Sequence, residues 1–318
     1  MPYWELVTRS FRIAWNHKYL WLIALFAGEG GNGFSFNYQQ RFGTGTTQGR
    51  PPDFATIQQQ VGTWISDHIA LIVIVAIVWL LLVVVFFVLA AVCEGATVRA
   101  SAEHDAERPF RLGWAWRSGV GTMWTVIRFR LLIVALGLPV LVVAAAFAAG
   151  IIASFASDNR GLGAALIALG ALVGLVAIIY FIYLSFLDRF GARAVVLEQL
   201  MARPAIVRAH GLLRKRLGRS LLIWLLSIAV SIGVGIVAAC FFIIVGAPLL
   251  VIGIAMAAAG STPLQLLPLI ILAVAVLVAL SLVIGGFLAA QASTYWTLAF
   301  RRLDLDYAPA VLPAPVPQ

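Results

Sequence analysis

Residues 220–300 read SLLIWLLSIAVSIGVGIVAACFFIIVGAPLLVIGIAMAAAGSTPLQLLPLIILAVAVLVALSLVIGGFLAAQASTYWTLAF. These 81 consecutive residues contain no Asp, Glu, Lys, Arg or His. A hydrocarbon layer ~30 Å thick is crossed by about 20 apolar helical residues. The stretch therefore suffices for two crossings, with Ser261, Thr262 and Pro263 turning the chain between them. Three more uncharged runs lie upstream, at residues 69–93, 131–156 and 161–187. Of the 318 residues, 62% are hydrophobic and only 11% are charged. Soluble domains carry roughly 25% charged residues, so a water-facing surface at this length is excluded.

These runs predict an all-α, polytopic transmembrane bundle occupying residues 1–307 as a single integral domain. About six spans form three hairpins: 4–28, 69–93, 131–156, 161–187, 221–247 and 264–288. An extracytoplasmic loop covers 29–68, basic connectors cover 94–130 and 188–219, and a Pro- and Ala-rich tail at 308–318 is expected to be disordered. Within the loop, Asp53 is placed to cap a short interfacial helix carrying Phe54, Ile57, Val61, Trp64 and Ile65. Segment 4–28 has three readings from sequence. It spans at a tilt with snorkelling basic residues, it lies in the interface, or it is a signal peptide. Pro139 marks a kink in the third span, and the fifth either ends or breaks at Gly246-Ala247-Pro248.

With six crossings, one side of the membrane collects 19 basic residues and the other three, Arg41, Arg50 and Arg160. The positive-inside rule places the 19, and both termini, in the cytoplasm of a bacterial inner membrane. The net charge of +9 thus reflects leaflet asymmetry and does not point to nucleic acid. The second connector is read as an amphipathic surface helix. Ile206, Leu213 and Leu217 share its apolar face, and Arg208, Lys215 and Arg219 are the candidate contacts for anionic inner-leaflet lipid.

Signs of catalysis are sparse. The motifs GxxxxGK[ST], HExxH and GxSxG do not occur. Glu94, Asp188 and Arg189 fall at span ends and read as interfacial. Glu103, His104, Asp105 and Glu107 read as a solvated turn, not a metal site. Cys93 and Cys240 read as small buried hydrophobes. Ser281, Gln291, Ser293, Thr294 and Tyr295 read first as interhelical hydrogen-bonding groups and second as a polar path. Small residues at four-residue spacing, such as Gly285, Ala289 and Ser293, favour close helix approach.

Three copies of one unit, a basic amphipathic lead-in followed by a two-span hairpin, are visible in the chain. The lead-ins are 4–18, 110–130 and 204–219. Residues 194–200 (Ala-Val-Val-Leu-Glu-Gln-Leu), 205–208 and 212–219 carry the most distinctive pattern, with 95–131 and 4–26 similar in their spacing of Arg, Trp and Gly. This resembles the connector of a broad bacterial group of six-span proteins. The group includes the membrane domain found beside glycerophosphoryl diester phosphodiesterases. The resemblance implies a membrane anchor or scaffold and supplies no catalytic residues. The soluble phosphodiesterase barrel has no counterpart here, so its activity is not transferred. The sequence reading is therefore a non-enzymatic membrane anchor, scaffold or lipid-organising protein without a cofactor. The bilayer is its main partner, alongside a homo-oligomer or a membrane partner protein. A permease subunit or small-solute transporter is the alternative.

Overall fold

The computed structural model describes residues 3–27, 63–66, 68–157, 160–259 and 263–303. Its helices are α1 (Tyr3–Asn16), α2 (Tyr19–Ala27), α3 (Ile69–Asp105), α4 (Leu112–Ala156), α5 (Arg160–Leu197), α6 (Ala202–Lys215), α7 (Leu217–Ala258) and α8 (Pro263–Leu303). No strand occurs among the described residues. Helix is what long runs of Leu, Ala, Val and Ile must form in lipid, where each backbone N–H and C=O needs a partner within its own segment. Most of the interfacial helix expected in the 29–68 loop, and the whole 308–318 tail, lie outside the described residues.

Five helices, α3, α4, α5, α7 and α8, are long and apolar enough to cross a membrane. They are also too long for that alone. At 1.5 Å per residue the 37 residues of α3 reach ~56 Å and the 45 of α4 reach ~68 Å, against ~30 Å of hydrocarbon. The surplus turns carry the charges. The long helices pack as antiparallel neighbours, α3 with α4, α4 with α5 and α7 with α8, so the C-terminal ends of α3, α5 and α8 meet the N-terminal ends of α4 and α7 at one end of the molecule. We call this end the base.

Burial divides the helices in two. In α3, α5, α7 and α8 the most apolar 18-residue stretch has 0% of its residues buried, and in α4 only 11%. By contrast, every residue of α3 from Ala91 to Glu103 is buried. Buried residues recur along α5 from Leu184 to Leu197 and along α8 from Ala289 to Leu303. The packed core of this protein thus lies beyond the apolar stretches, and the apolar side chains face outward as lipid-facing residues must.

Glycine sets the closest approach in that core. A Cβ on Gly119 of α4 would stand 2.2 Å from the Val92 carbonyl oxygen and 3.1 Å from the Ala96 nitrogen of α3. Gly286 of α8 also lies close against the Trp21 carbonyl of α2, at 2.8 Å from a notional Cβ. The short turns of the base are made without glycine. Glu107 and Gln199, with φ of 57° and 53°, take up the left-handed conformation just past the ends of α3 and α5. The Arg108 N–H then closes back on the Glu103 carbonyl at 3.0 Å, satisfying an end-of-helix acceptor.

Several sequence expectations are corrected here. Segment 4–28 is not one helix, because it breaks at His17-Lys18 into α1 and α2. At nine residues α2 reaches ~14 Å, less than half the hydrocarbon thickness. The tie that holds the break is tertiary: the Trp21 indole N–H donates to the Ala14 carbonyl at 2.7 Å. The first connector is no separate lead-in, since α4 continues from Leu112 to Ala156 through Pro139. The fifth span does not end or break at Gly246–Pro248 but runs on to Ala258. Cys93 is buried as expected, whereas Cys240 is exposed on the apolar part of α7.

Candidate functional site

The base gathers chemistry that the sequence keeps far apart. Arg130 of α4 joins Glu94 of α3 to Asp188 of α5. Its Nε and Nη2 donate to Glu94 Oε2 at 3.1 and 2.8 Å, and its Nη1 donates to Asp188 Oδ2 at 3.0 Å. Glu94 is 2% exposed, so its charge depends on this cation rather than on water. Asp105, at the end of α3, plays the matching role on the other flank. Arg9 of α1 reaches Asp105 Oδ1 at 2.7 Å, and Arg301 of α8 reaches Oδ2 at 2.6 Å. Glu103 takes Arg99 at 2.9 Å and Arg108 at 3.7 Å.

Arg193 of α5 is fully buried and donates to the Arg189 carbonyl at 2.7 Å. Arg189 in turn lies over the Trp296 ring, 4.4 Å from its centroid. Arg189 is half-buried, and a cation over an indole face contributes ~0.5–2 kcal/mol between the exposed and desolvated limits. Three polar residues of α8 bind neighbouring helices, while the buried Ser293 hydroxyl has no hydrogen-bond partner among the described residues. Thr294 Oγ1 meets Ser101 Oγ at 3.0 Å, Gln291 donates to Ser10 Oγ at 3.1 Å, and Tyr295 donates to the Ile223 carbonyl at 2.8 Å.

A second polar group lies where α1, α2 and α3 meet. The His17 and His104 rings stack with centroids 3.6 Å apart, and the Tyr19 hydroxyl stands 2.5 Å from His104 Nε2. The two histidines border a polar cavity of about 360 Å3, walled also by Glu5, Arg9, Arg12 and Glu107. Burial, with a smaller contribution from the charge on His17, pushes the His104 pKa down from 6.5 to about 4. Burial pushes the Tyr19 phenol up. With the phenol protonated and the imidazole neutral, the hydroxyl is the donor and Nε2 the acceptor.

This has a pH consequence. Above pH 6.5 neither folded nor unfolded chain protonates this ring. Between pH 6.5 and about 4 the unfolded chain takes up a proton that the folded base resists, so stability falls as pH drops through that window. The apparent melting temperature in detergent should therefore fall between pH 7.5 and pH 5, and His104→Asn should flatten that fall. Parallel pH profiles for parent and variant would remove the assignment.

The sequence-predicted contacts are placed differently from expectation. Helix α6 ends at Lys215, and the chain bends at Arg216 before α7 begins, so Arg208 and Lys215 belong to one helix and Arg219 to the next. Lys215 and Arg219 are exposed. Arg208 is paired with Glu198, 3.2 Å away. The buried face of α6 is Ala202, Ala205, Ala209, Leu212 and Leu213, packed against α5 and α4 instead of lipid. Leu217, expected on that apolar face, is 60% exposed. The 103–107 turn is likewise no free solvated loop, since Glu103, His104 and Asp105 are all engaged. Nor is Glu94 merely interfacial. Among the described residues no cluster of three or more His, Cys, Asp or Glu is placed to hold a metal ion.

Five apolar crossings standing on a packed, ion-paired base define a multi-pass membrane protein of all-α type. The chain belongs to a family of unknown function, DUF7544, whose model matches residues 7–307. No curated protein and no solved structure matches it.

Proposed function

We propose that this protein is a non-enzymatic scaffold of a bacterial cytoplasmic membrane, organising lipid around a rigid cytoplasmic base. The observation that carries the reading is the division of burial. The apolar stretches are left to lipid, while the helix ends are locked to one another by Arg130, by Asp105 and by Arg193, which donates to the Ser293 carbonyl of α8 at 3.5 Å. A transporter that alternates access needs elements free to rock against each other around a central site. Here, ion pairs and buried hydrogen bonds tie α1, α3, α4, α5 and α8 together within the base. Helices α4 and α7 also continue through Pro139 and Pro248, where a transporter would gain from interruption.

Orientation follows the basic residues. Helix α1 and the end of α8 both lie in the base, which holds most of the chain's Arg, so the positive-inside rule sets the base in the cytoplasm. Exposed Lys215 and Arg219 then face the anionic inner leaflet, each contributing about 1 kcal/mol when near the surface. Arg208 contributes less, because Glu198 already offsets its charge.

Reconstituting the full chain in liposomes with entrapped potassium and radiolabelled sugars or amino acids tests the reading. A scaffold leaves efflux at the rate of protein-free vesicles. Saturable, gradient-driven flux of any of these solutes would replace it with the permease reading.

A further inference from the structure

A cavity of about 600 Å3 opens between α2, α3 and α4. Small-molecule sites typically enclose ~300–1,000 Å3. It sits at the level where α3 passes from exposed to buried. Leu89 and Cys93 of α3 line it, with Leu22 and Phe26 of α2 and Gly113 and Trp116 of α4. Among the described residues lining it, Arg117 is the sole charged one, and it is exposed. The other arginines of α3 and α4 are engaged elsewhere: Arg99 pairs with Glu103, Arg130 with Glu94, and Arg128 lies over the Trp124 ring, 5.7 Å from its centroid. From Trp116 an exposed apolar stripe continues along α4 through Val120 and Trp124, at four-residue spacing. Trp is enriched at membrane–water boundaries.

An almost wholly apolar cavity, continuous with the lipid-facing length of α3 and edged by one guanidinium, suits an amphiphile with an apolar tail and a negative head. We propose that it holds one acyl chain of an anionic phospholipid drawn from the surrounding bilayer, with Arg117 donating to the headgroup phosphate. The proposal rests on the reading of the base as a membrane-apposed platform. Planar guanidinium donors match phosphate oxygens in pairs, which gives the head its register. The chain is then taken out of the fluid bilayer and held between three helices of the base.

Native mass spectrometry of the full chain in mild detergent, titrated with dioleoyl-phosphatidylglycerol or dioleoyl-phosphatidylcholine, reads this directly. Gly113 lines the cavity and a Cβ there meets no atom within 4 Å, so Gly113→Phe adds a ring at the cavity wall with no Cβ clash against backbone. The parent should retain one more phosphatidylglycerol than Gly113→Phe and should prefer it over phosphatidylcholine by at least fivefold. Arg117→Gln, at an exposed position, should keep the occupancy and lose the preference. Equal phosphatidylglycerol retention in parent and Gly113→Phe would overturn the site. So would a parent that shows no headgroup preference, a result that stands even if Gly113→Phe fails to fold. Solute flux with the selective adduct intact supports the site while removing the scaffold reading. Loss of selective retention without flux removes the site and leaves the scaffold reading in place.

Discussion

Replacing Arg130 with Met is expected to destabilise the base more than any other single change of a charged residue. The substitution keeps most of the side chain's length and apolar stem but removes three hydrogen bonds to two carboxylates. Glu94, at 2% exposure, would lose the cation that now offsets its buried charge. Breaking a buried pair from one side costs about 3–5 kcal/mol. Arg130 itself is 30% exposed and Asp188 24%, so water screens part of the interaction, and roughly 2–4 kcal/mol is the expected loss. Adding Glu94→Gln to Arg130→Met should recover part of that loss, because the stranded charge disappears along with its partner. Thermal unfolding in detergent, followed by tryptophan fluorescence, measures both variants. Parent-like melting of the Arg130→Met protein would show that the bridge contributes nothing to stability.

Gly119→Val should be comparably damaging for a purely steric reason. A helical glycine normally costs about 1 kcal/mol relative to Ala, so replacing one in an open position stabilises a helix. At Gly119 the new Cβ would fall 2.2 Å from a backbone oxygen of α3. No rotamer change relieves a clash with main chain, and α4 would have to move away from α3. Overpacking in a filled core costs typically 1–3 kcal/mol and occasionally more. Because backbone is involved, we expect the upper end, with loss of the α3–α4 junction as the structural result. Gly121, two residues on and exposed with nothing within 4 Å, supplies the contrast. Gly121→Ala should raise the melting temperature slightly. Equal effects at the two positions would rule out the close approach as the cause.

These two sites also show where sequence reading stops. Gly119 sits in a connector whose Arg, Trp and Gly spacing was recognisable, yet nothing in that pattern says which glycine faces a backbone. Glu94, Arg130 and Asp188 lie 36 and 58 positions apart in two of the pairings that matter. Each was visible as a charge at the end of an apolar run, and that position alone reads as interfacial. Trp4, Phe11, Trp15, Tyr19 and Leu22, with Val7 on the same stripe, recur at helical spacing across His17, a period that fits one helix. Of these the structure buries Val7, together with Leu6, Ile13 and Ala14, and leaves Trp4 and Trp15 more than 60% exposed. Arg208, Lys215 and Arg219 shared a face only if the helix continued through Arg216, and it does not. The cavity beside Arg117 had no linear signal, since its walls come from three separate helices.

What sequence alone determined was the class. Uncharged runs of the right length, separated by arginine-rich segments, leave no way to build a water-facing globule, because hydrophobic burial depends on composition and run length and hardly on partner identity. What only the tertiary structure decided was that the arginine-rich segments are themselves the core, folded together beyond the spans. Charge pairing and close helix contact act over a few ångströms in space, and a linear pattern records how polar a residue is without recording which distant residue it will meet.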